Sequence, residues 1–408
     1  MAAPERDGAV RIGADGVHLT YCSNIHPGET WADVRANIER FFPAVRDQVA
    51  PGKSFGIGLR LSARAARELG SGEALAEFRD FMKRNNLYVF TINGFPYGTF
   101  HGTRVKEEVY LPDWRDEERL RYTDELADLL VQLLPDGVIG SISTVPGAFK
   151  PAMRNGADVE QIADNMVRHV AKLVEIKRRT GKHIALAIEP EPHCYLETIE
   201  ESVRFFKRHL FSADAVRRLG EMSGLDRQAA GTALRDHVGL CLDLCHAAVE
   251  FEDPAGCIAD LERAGILVTK LQISAGLRLP ELTREAVTAL KQFDDPVYLH
   301  QVVEEGPNGI RRYADLPEAL ATATGGADGR EWRVHCHVPI FMDDLGAFSS
   351  TRSFISEVLD IHRLRPISPH LEVETYTWNV LPEHLRAGGM EKAIARELNW
   401  VKDSLQKA

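Results

Sequence analysis

The sequence predicts an α/β fold, a (β/α)8 TIM barrel with an elaborated loop after the seventh strand. Short apolar runs alternate with longer amphipathic runs almost throughout the chain. Strands that alternate with helices in this way imply parallel pairing. Eight runs qualify as strands, which is the number that closes such a barrel. The length of 408 residues suits one large barrel, although it could also hold two ordinary domains.

The strand candidates are short apolar segments. In chain order they are "GVHLTYC", "SFGIGLRL", "LYVFTING", "GVIGSIST", "HIALAIEPE", "HVGLCLD", "LVTKLQIS" and "LEVETYTW". The amphipathic segments between them carry apolar residues at three- and four-residue spacing, which predicts helices. These helices are Trp31–Ala50, Ala63–Asn86, Asp116–Leu134, Val159–Thr180, Ile199–Leu210, Ala247–Ala264 and Glu383–Gln406.

A long segment separates the seventh and eighth strands. It holds two more strand-like runs, "PVYLHQVVE" and "WRVHCHVPIF", and a predicted helix near Leu316–Ala323. We interpret Pro280–Thr351 as an insertion in a single barrel that spans residues 1–408, with "GGADG" (Gly325–Gly329) as an exposed turn. A doubly wound open sheet is the structural alternative, but no glycine-rich phosphate turn follows the first strand.

Composition excludes several classes of function. The chain is 44% hydrophobic and 27% charged, as soluble globular proteins are. A net charge of -11 speaks against nucleic-acid binding, which needs a basic surface. The first residues lack a signal-peptide pattern, and no run reaches the roughly 18–20 apolar residues of a membrane span. The six scattered cysteines are typical of a reducing compartment, so we predict a cytoplasmic protein without membrane insertion.

Polar residues stand where the predicted strands end, and in a (β/α)8 barrel these ends surround the functional mouth. From the strand ends and the insertion the candidates are Asn24, His26, Asn93, His101, Glu189, Glu191, His193, Asp243, His246, Gln272, Ser274, His300, His335, His337 and Glu374. Glu189, Asp243 and Glu374 repeat a costly placement, because an ionised carboxylate after an apolar run needs a compensating cation. A divalent metal would compensate them, and carboxylate with imidazole ligands suits Mn²⁺, Co²⁺, Fe²⁺ or Zn²⁺.

Each feature also has a simpler interpretation. A strand-end carboxylate can cap a helix or form a salt bridge, and Asp243 precedes a helix that starts near His246. His335 and His337 lie two apart, which places both side chains on one face of a strand and suits one metal, but the spacing also occurs by chance. The single histidines His26, His101, His193 and His300 favour surface or hydrogen-bonding roles, and we interpret Cys241 and Cys245 as buried small side chains. The joint pattern favours a metal site.

The segments "LAIEPEP", "LCLDLCH", "HCHVP" and "EVET", in this order, resemble the xylose-isomerase-like TIM barrels. That superfamily includes sugar phosphate isomerases and epimerases and the AP endonucleases of family 2. The resemblance covers about Val17 to Val401. More narrowly, "LTYCSNIHPGETW", "FGIGLRLS" and "TINGFPYGTFHG" resemble the EboE branch, whose members are named for metabolite traffic.

The resemblance implies roles for matching positions. Glu189, Asp243 and Glu374 match the ligands of the principal metal, and His246 matches a histidine that meets substrate or joins a second metal. His335 and His337 match a pair that completes the second site. Gln272 stands where most relatives place a metal-binding histidine, so the implied divalent metal could be Mn, Zn, Co or Mg.

Three functions remain open from the sequence. The first is a metal-dependent sugar or sugar-phosphate isomerase or epimerase, with Glu189 and Glu374 exchanging a proton and His246 binding a substrate oxygen. Glu191, Lys150 and His300 are weaker candidates for substrate positioning. The second function is two-metal phosphoester hydrolysis that uses His246, His335 and His337.

The third is a non-catalytic carrier whose pocket is lined by "GFPYGTF" (Gly94–Phe100) and "TYTW" (Thr375–Trp378). The expected partner in each case is a small molecule, sugar-like or prenylated, and a homodimer is one option for the oligomeric state.

Overall fold

Eight parallel strands build the barrel in a computed structural model that describes residues 11–12, 16–95, 106–294, 299–323, 329–375 and 389–407. With strands numbered in chain order, the barrel strands are β2 (Val17–Tyr21), β3 (Phe55–Arg60), β4 (Leu87–Asn93), β5 (Gly140–Thr144), β6 (Ile184–Ile188), β7 (Val238–Asp243), β8 (Val268–Ile273) and β14 (His370–Val373). Seven of them lie within a segment that the sequence predicts as a strand, and β14 begins one residue before its predicted segment "LEVETYTW".

The barrel closes because its two outer strands meet. The hydrogen-bonded order is β2, β14, β8, β7, β6, β5, β4, β3, and each neighbouring pair is parallel. A parallel bridge from Cys22 to Gly58 then joins the chain beyond β2 to β3. A short strand, β1 (Arg11–Ile12), adds antiparallel to β2. The predicted (β/α)8 fold is confirmed.

Helices cover the outside of the barrel and connect its strands. They are α1 (Trp31–Val49), α2 (Ala63–Leu69), α3 (Ala74–Arg84), α4 (Glu117–Leu133), α5 (Gly156–Thr180), α6 (Ile199–Phe205), α7 (Ala213–Ser223), α8 (Arg227–His237), α9 (Leu244–Val249), α10 (Pro254–Ala264), α11 (Arg284–Leu290), α12 (Leu316–Leu320), α13 (Arg352–Leu364) and α14 (Met390–Gln406). No helix among the described residues combines the length and hydropathy needed to cross a membrane.

Two predicted helices are divided, and some observed helices were not predicted. Ala63–Asn86 forms α2 and α3, separated by a turn in which Gly72 adopts a positive φ of 59°. Ala247–Ala264 is divided because Asp253 caps α10 through the Gly256 N–H and Pro254 occupies its first turn. Four helices were not predicted, namely α7, α8, α11 and α13. Residues 383–388 of the last predicted helix lie outside the described residues.

The insertion forms a second sheet beside the barrel. Its antiparallel strands are, in spatial order, β11 (Gly309–Tyr313), β10 (Val302–Gly306), β12 (Glu331–Val338), β9 (Ala275–Leu279) and β13 (Ser349–Ser350). This sheet begins at Ala275, before the predicted start at Pro280, because the chain leaves β8 and enters β9 after one residue.

Two arginines of the second sheet attach it to the barrel. Arg312 donates to Glu250, with an N–O distance of 2.6 Å. Arg333 lies 4.0 Å above the ring of Phe251 and donates to the carbonyl of Ala248. These contacts hold β12 against the mouth of the barrel.

A buried ion pair occupies the barrel interior. Lys270 of β8 and Glu372 of β14 have side chains that are 0% exposed, with their nearest charged atoms 2.5 Å apart. Although burial acts to lower the pKa of Lys270, Glu372 and the neighbouring acidic groups together outweigh it and hold that pKa above its usual value. A glycine makes room for this pair, since a Cβ at Gly58 would lie 2.0 Å from Glu372 Oε2.

We predict that Lys270→Met destabilises the fold by about 3–5 kcal/mol, because Glu372 would remain buried without its cation. Urea denaturation measures the free energy of unfolding. The double variant Lys270→Met/Glu372→Gln should recover much of the loss, since it removes both charges. A double variant no more stable than Lys270→Met alone would contradict this account.

A second buried carboxyl gives stability a pH dependence. Glu397 of α14 is 2% exposed, and burial raises its pKa to about 7, against hydrogen bonds from Thr375 Oγ1 (2.8 Å) and the Ile340 N–H (3.1 Å). The folded-state pKa of Glu397 is above the unfolded-state value. Burying this carboxyl therefore costs no folding free energy below about pH 4.5, where it is protonated in both states, and the cost grows as the pH rises through 7.

Glu397→Gln should therefore stabilise the protein by about 3 kcal/mol at pH 8 and by little at pH 5, because the amide oxygen can still accept both hydrogen bonds. Thermal unfolding at the two pH values measures the difference. The exposed Asp403→Asn on the same helix is the matched control and should behave as wild type. An equal effect of Glu397→Gln at both pH values would argue against the assignment.

Candidate metal centre

Three carboxylates converge at the carboxyl ends of the barrel strands. Glu189 follows β6, Asp243 ends β7, and Glu374 follows β14. One oxygen from each lies within 4.8 Å of the others, and all three residues are buried. The predicted carboxylates thus face one small volume at the mouth. Each strand is apolar up to this point because its preceding residues pack in the core.

The hydrogen bonds leave two of these oxygens without donors. Asp243 Oδ1 accepts from Ser274 Oγ (2.7 Å) and from the His246 N–H (3.0 Å), so Asp243 does cap α9. Its other oxygen, Oδ2, accepts no hydrogen bond from the described residues, and neither does Glu189 Oε2. The capping and metal-binding interpretations of Asp243 are therefore compatible, because they use different oxygens. Two buried, unpaired carboxylate oxygens fit a cation.

Gln272 joins two members of the cluster through its amide nitrogen. Nε2 donates to Glu189 Oε1 at 3.1 Å and to Glu374 Oε2. Its oxygen accepts instead from the thiol of Cys241. Asn24 donates to the other oxygen of Glu374. Gln272 is a predicted metal ligand. To ligate a cation through its oxygen, its side-chain amide must flip so that Oε1 rather than Nε2 faces the carboxylates.

Crowding of anions shifts the carboxylate pKa values upward. Burial raises the pKa of Glu189 to about 7. Burial and the charges of Glu189 and Asp243 raise the pKa of Glu374 well above its usual value. Asp243 differs: burial acts to raise its pKa, but His246, His337 and the Ser274 hydroxyl outweigh it and hold the pKa below the usual value. Without a cation, the cluster takes up protons instead.

Three histidines stand beside the carboxylates, each with Nδ1 bound to an oxygen. His246 Nδ1 contacts the Pro190 carbonyl (2.9 Å) and His337 Nδ1 the Glu374 carbonyl (3.0 Å). His335 Nδ1 contacts the side-chain oxygen of Gln301 (2.8 Å). Since carbonyl oxygens only accept, Nδ1 carries a proton in each ring, and Nε2 is the nitrogen left to face the site. This arrangement is typical of metal-binding histidines.

His246 and His335 bring their Nε2 atoms within 3.1 Å of each other. Two lone pairs at this distance require a proton or a cation between them. Burial acts to lower the pKa of His246, but Asp243, Glu191 and Glu189 outweigh it and raise the pKa to about 9. Burial lowers the pKa of His335 well below its usual value and that of His337 to about 4. His246 therefore supplies the proton when no cation is bound.

The carboxylate and imidazole clusters overlap. Among the described residues, the groups with ligand atoms within 4.8 Å are Glu189–Asp243–Glu374, Asp243–His246–His337, Glu191–His246–His335 and Cys245–His335–His337. Asp243 and His246 are shared, so the site offers one position among carboxylates and a second among imidazoles. Cys245 was predicted to be a buried small side chain; it is buried, but it also faces two histidines.

The weaker candidates have other partners. Lys150 forms ion pairs with Glu197 and Glu201. His300 donates to the His335 carbonyl at 3.0 Å and supports that strand. His26 stacks on Phe41 with ring centroids 4.1 Å apart. These contacts give the two histidines structural roles.

Two residues of the site escaped the sequence analysis. Gln301 lies against His335, and Tyr110 donates to Glu191 at 2.5 Å. Gln301 follows His300 in a segment that was predicted only as a strand, and Tyr110 lies on a 3-10 turn (Lys106–Tyr110) that no periodicity marks. His101 lies outside the described residues, as do residues 96–100 and 376–378 of the two aromatic segments.

Comparison with solved structures supports the fold. A xylose isomerase-like TIM barrel protein from Mycobacterium smegmatis in complex with magnesium has a TM-score of 0.50 and 14% identity, over 97% of this chain and 98% of that one. D-psicose 3-epimerase from Clostridium cellulolyticum H10, with D-tagatose, has a TM-score of 0.45 and 14% identity, over 95% and 97%. The IolI protein with a zinc atom has 0.46 and 14%, over 95% and 97%.

No protein-family model and no curated protein sequence matches the chain. At these identities the structural likeness establishes the fold alone, a (β/α)8 TIM barrel.

Proposed function

We propose that the protein is a metal-dependent isomerase or epimerase that moves a proton next to a carbonyl group of a sugar-like polyol. The observation that carries this proposal is the convergence of Glu189, Asp243 and Glu374 within 4.8 Å at the barrel mouth, with two oxygens lacking donors. Small-molecule chemistry also fits the neighbours, one of which is an epimerase.

The buried charges fit a divalent cation. Glu189, Glu191, Asp243, Glu374 and Glu372 are five carboxylates enclosed near one another, and the cations among the described residues that act on them are Lys270 and His246. If all seven are ionised, three negative charges remain. A divalent ion would offset two of them and so reduce the proton uptake that the raised carboxylate pKa values otherwise demand.

Each residue has a role in the proposed reaction. The bound cation would supply Lewis acidity, which makes the C–H between neighbouring carbonyl and hydroxyl oxygens easier to deprotonate. Glu189 and Glu374 approach the site from different strands and would remove the proton from one face and return it on another. The raised pKa of Glu189, about 7, suits a group that both accepts and donates at neutral pH. His246 would hold a substrate oxygen.

The ligand set bears on the choice of metal. Carboxylates and the Gln272 amide oxygen, once turned, favour hard ions such as Mg²⁺ or Mn²⁺, whereas participation of the imidazoles favours Zn²⁺ or Co²⁺. The Mycobacterium smegmatis protein was solved with magnesium, which fits the first set.

A second candidate function is two-metal hydrolysis of a phosphoester. The specific observation is the group Glu191–His246–His335, which adjoins the carboxylate cluster through His246. Two tightly bound metals per chain would favour this reading, and one would favour isomerisation.

An EboE-type role in metabolite processing or export, in the cytoplasm, also belongs to the proposal and rests on the sequence resemblance. The six cysteines are free thiols, which suits a reducing compartment. We rank the enzyme above a non-catalytic carrier because its three carboxylates converge; the aromatic segments of a carrier lie largely outside the described residues.

We predict that the purified protein takes up at least one Mn²⁺ per chain and that saturating Mn²⁺ raises its melting temperature. Asp243→Asn should lose most of this shift, because it removes a charge from the centre of the cluster. Glu397→Gln, a buried carboxyl-to-amide change outside the cluster, should keep the full shift. Elemental analysis and thermal unfolding measure both effects. If Asp243→Asn kept the full Mn²⁺-induced rise in melting temperature, the proposed metal centre would be rejected.

Glu374→Gln should lower turnover by about 10²–10⁴-fold at saturating metal and leave the fold intact, because the amide cannot transfer the proton. The measurement is a screen of sugars and sugar phosphates with wild-type protein, followed by kcat for the variant on any substrate found. Unchanged kcat on a true substrate would exclude Glu374 from proton transfer.

A further inference from the structure

Gln301 is the residue through which the second sheet reaches into the site. It immediately precedes β10, its side chain is buried, and its carbonyl accepts from the His335 N–H at 2.8 Å. The backbone pairing alone would hold the two strands together. Its side chain makes further contacts, because it lies between His335 and the barrel.

The hydrogen bonds of Gln301 fix which way its amide points. Nε2 contacts three oxygens: Tyr110 Oη (2.9 Å), the Pro192 carbonyl (3.2 Å) and Glu191 Oε1 (3.4 Å). Tyr110 already donates its hydroxyl proton to Glu191, so it accepts from Gln301. A reversed amide would set oxygen against oxygen at all three contacts. The side-chain oxygen is therefore the end that faces His335.

This orientation determines the proton position on His335. Oε1 of Gln301 lies 2.8 Å from His335 Nδ1 and can only accept, so Nδ1 must donate. A neutral imidazole has one N–H, which leaves the lone pair on Nε2. That atom lies 3.1 Å from His246 Nε2, whose own ring is fixed by the Pro190 carbonyl.

We propose that Gln301, itself oriented by Tyr110 and Glu191, is a positioning residue that holds His335 as the Nδ1–H tautomer and so directs the Nε2 lone pair at His246. The two imidazoles then form a preorganised pair for a divalent cation, with Glu191 as a third ligand. The cation-binding part of this inference rests on the second candidate function, which places a metal at these imidazoles; the tautomer does not.

The tautomer can be observed directly. Long-range ¹H–¹⁵N spectra of histidine-labelled full-length protein distinguish Nδ1–H from Nε2–H, and His335→Gln identifies the signal among the 15 histidines. We expect Nδ1–H in the wild type. Gln301→Leu, which removes the acceptor, should populate Nε2–H, whereas Gln301→Glu should keep Nδ1–H. Gln132→Leu, at an exposed amide that contacts only the Asp128 carbonyl, is the matched control.

Cation binding supplies the second readout. Affinity for Co²⁺, followed by its visible absorption, should fall about 10–100-fold in Gln301→Leu and stay unchanged in Gln132→Leu, as expected for loss of a ligand-orienting group. Wild-type protein with His335 protonated on Nε2 would overturn the inference even if Gln301→Leu fails to fold. So would a folded Gln301→Leu with unaltered tautomer and affinity. A tautomer change without any Co²⁺ binding would support the positioning role and reject the proposed metal site.

Discussion

Carboxylates enclosed at the mouth of an apolar barrel dominate this structure. Transferring so many anions from water to a protein interior costs free energy. The neighbouring polar groups offset part of that cost by donating hydrogen bonds or positive charge to the carboxylates. Lys270 lies beneath the cluster, Gln272 and Asn24 donate to it, and His246 stands beside it. Even so, two oxygens receive no donor from the described residues. A barrel assembled only for stability would not concentrate anions in this way.

The insertion completes the site that the barrel begins. In the proposed metal centre the barrel strands supply the carboxylates, whereas β12 supplies the imidazoles of His335 and His337. Such a set would suit either hard or borderline cations, because carboxylates adjoin imidazoles across the shared residues Asp243 and His246. The distribution of ligands between two sheets also explains why the second sheet is tied to the barrel by Arg312 and Arg333.

Much of this was predictable from the sequence because the signals were local. Apolar runs gave all eight barrel strands, and polar residues at their ends gave Glu189, Asp243 and Glu374. The helix boundaries within Ala63–Asn86 and Ala247–Ala264 were wrong because apolar periodicity continues across a short turn, and the decisive features are a positive φ at Gly72 and a cap at Asp253.

Contacts between distant segments could not be predicted. Lys270 and Glu372 each lie in an apolar strand, and only the barrel register places them together. Gln301 carries no motif, since its importance depends on the partner strand that lies beside it and on Tyr110 from another part of the chain. The amide orientation of Gln272 likewise follows from which oxygens surround it, which spacing does not reveal.

Ser274 is the single residue between β8 and β9, and its hydroxyl binds Asp243. One continuous stretch therefore runs from the barrel wall, past the acidic centre, into the neighbouring sheet. A one-residue junction cannot extend or bend enough to accommodate a shift of β8 or of β9. A change of length at this junction would therefore displace the candidate ligands on both sides of it, Asp243 in the barrel and His335 and His337 in the appended sheet.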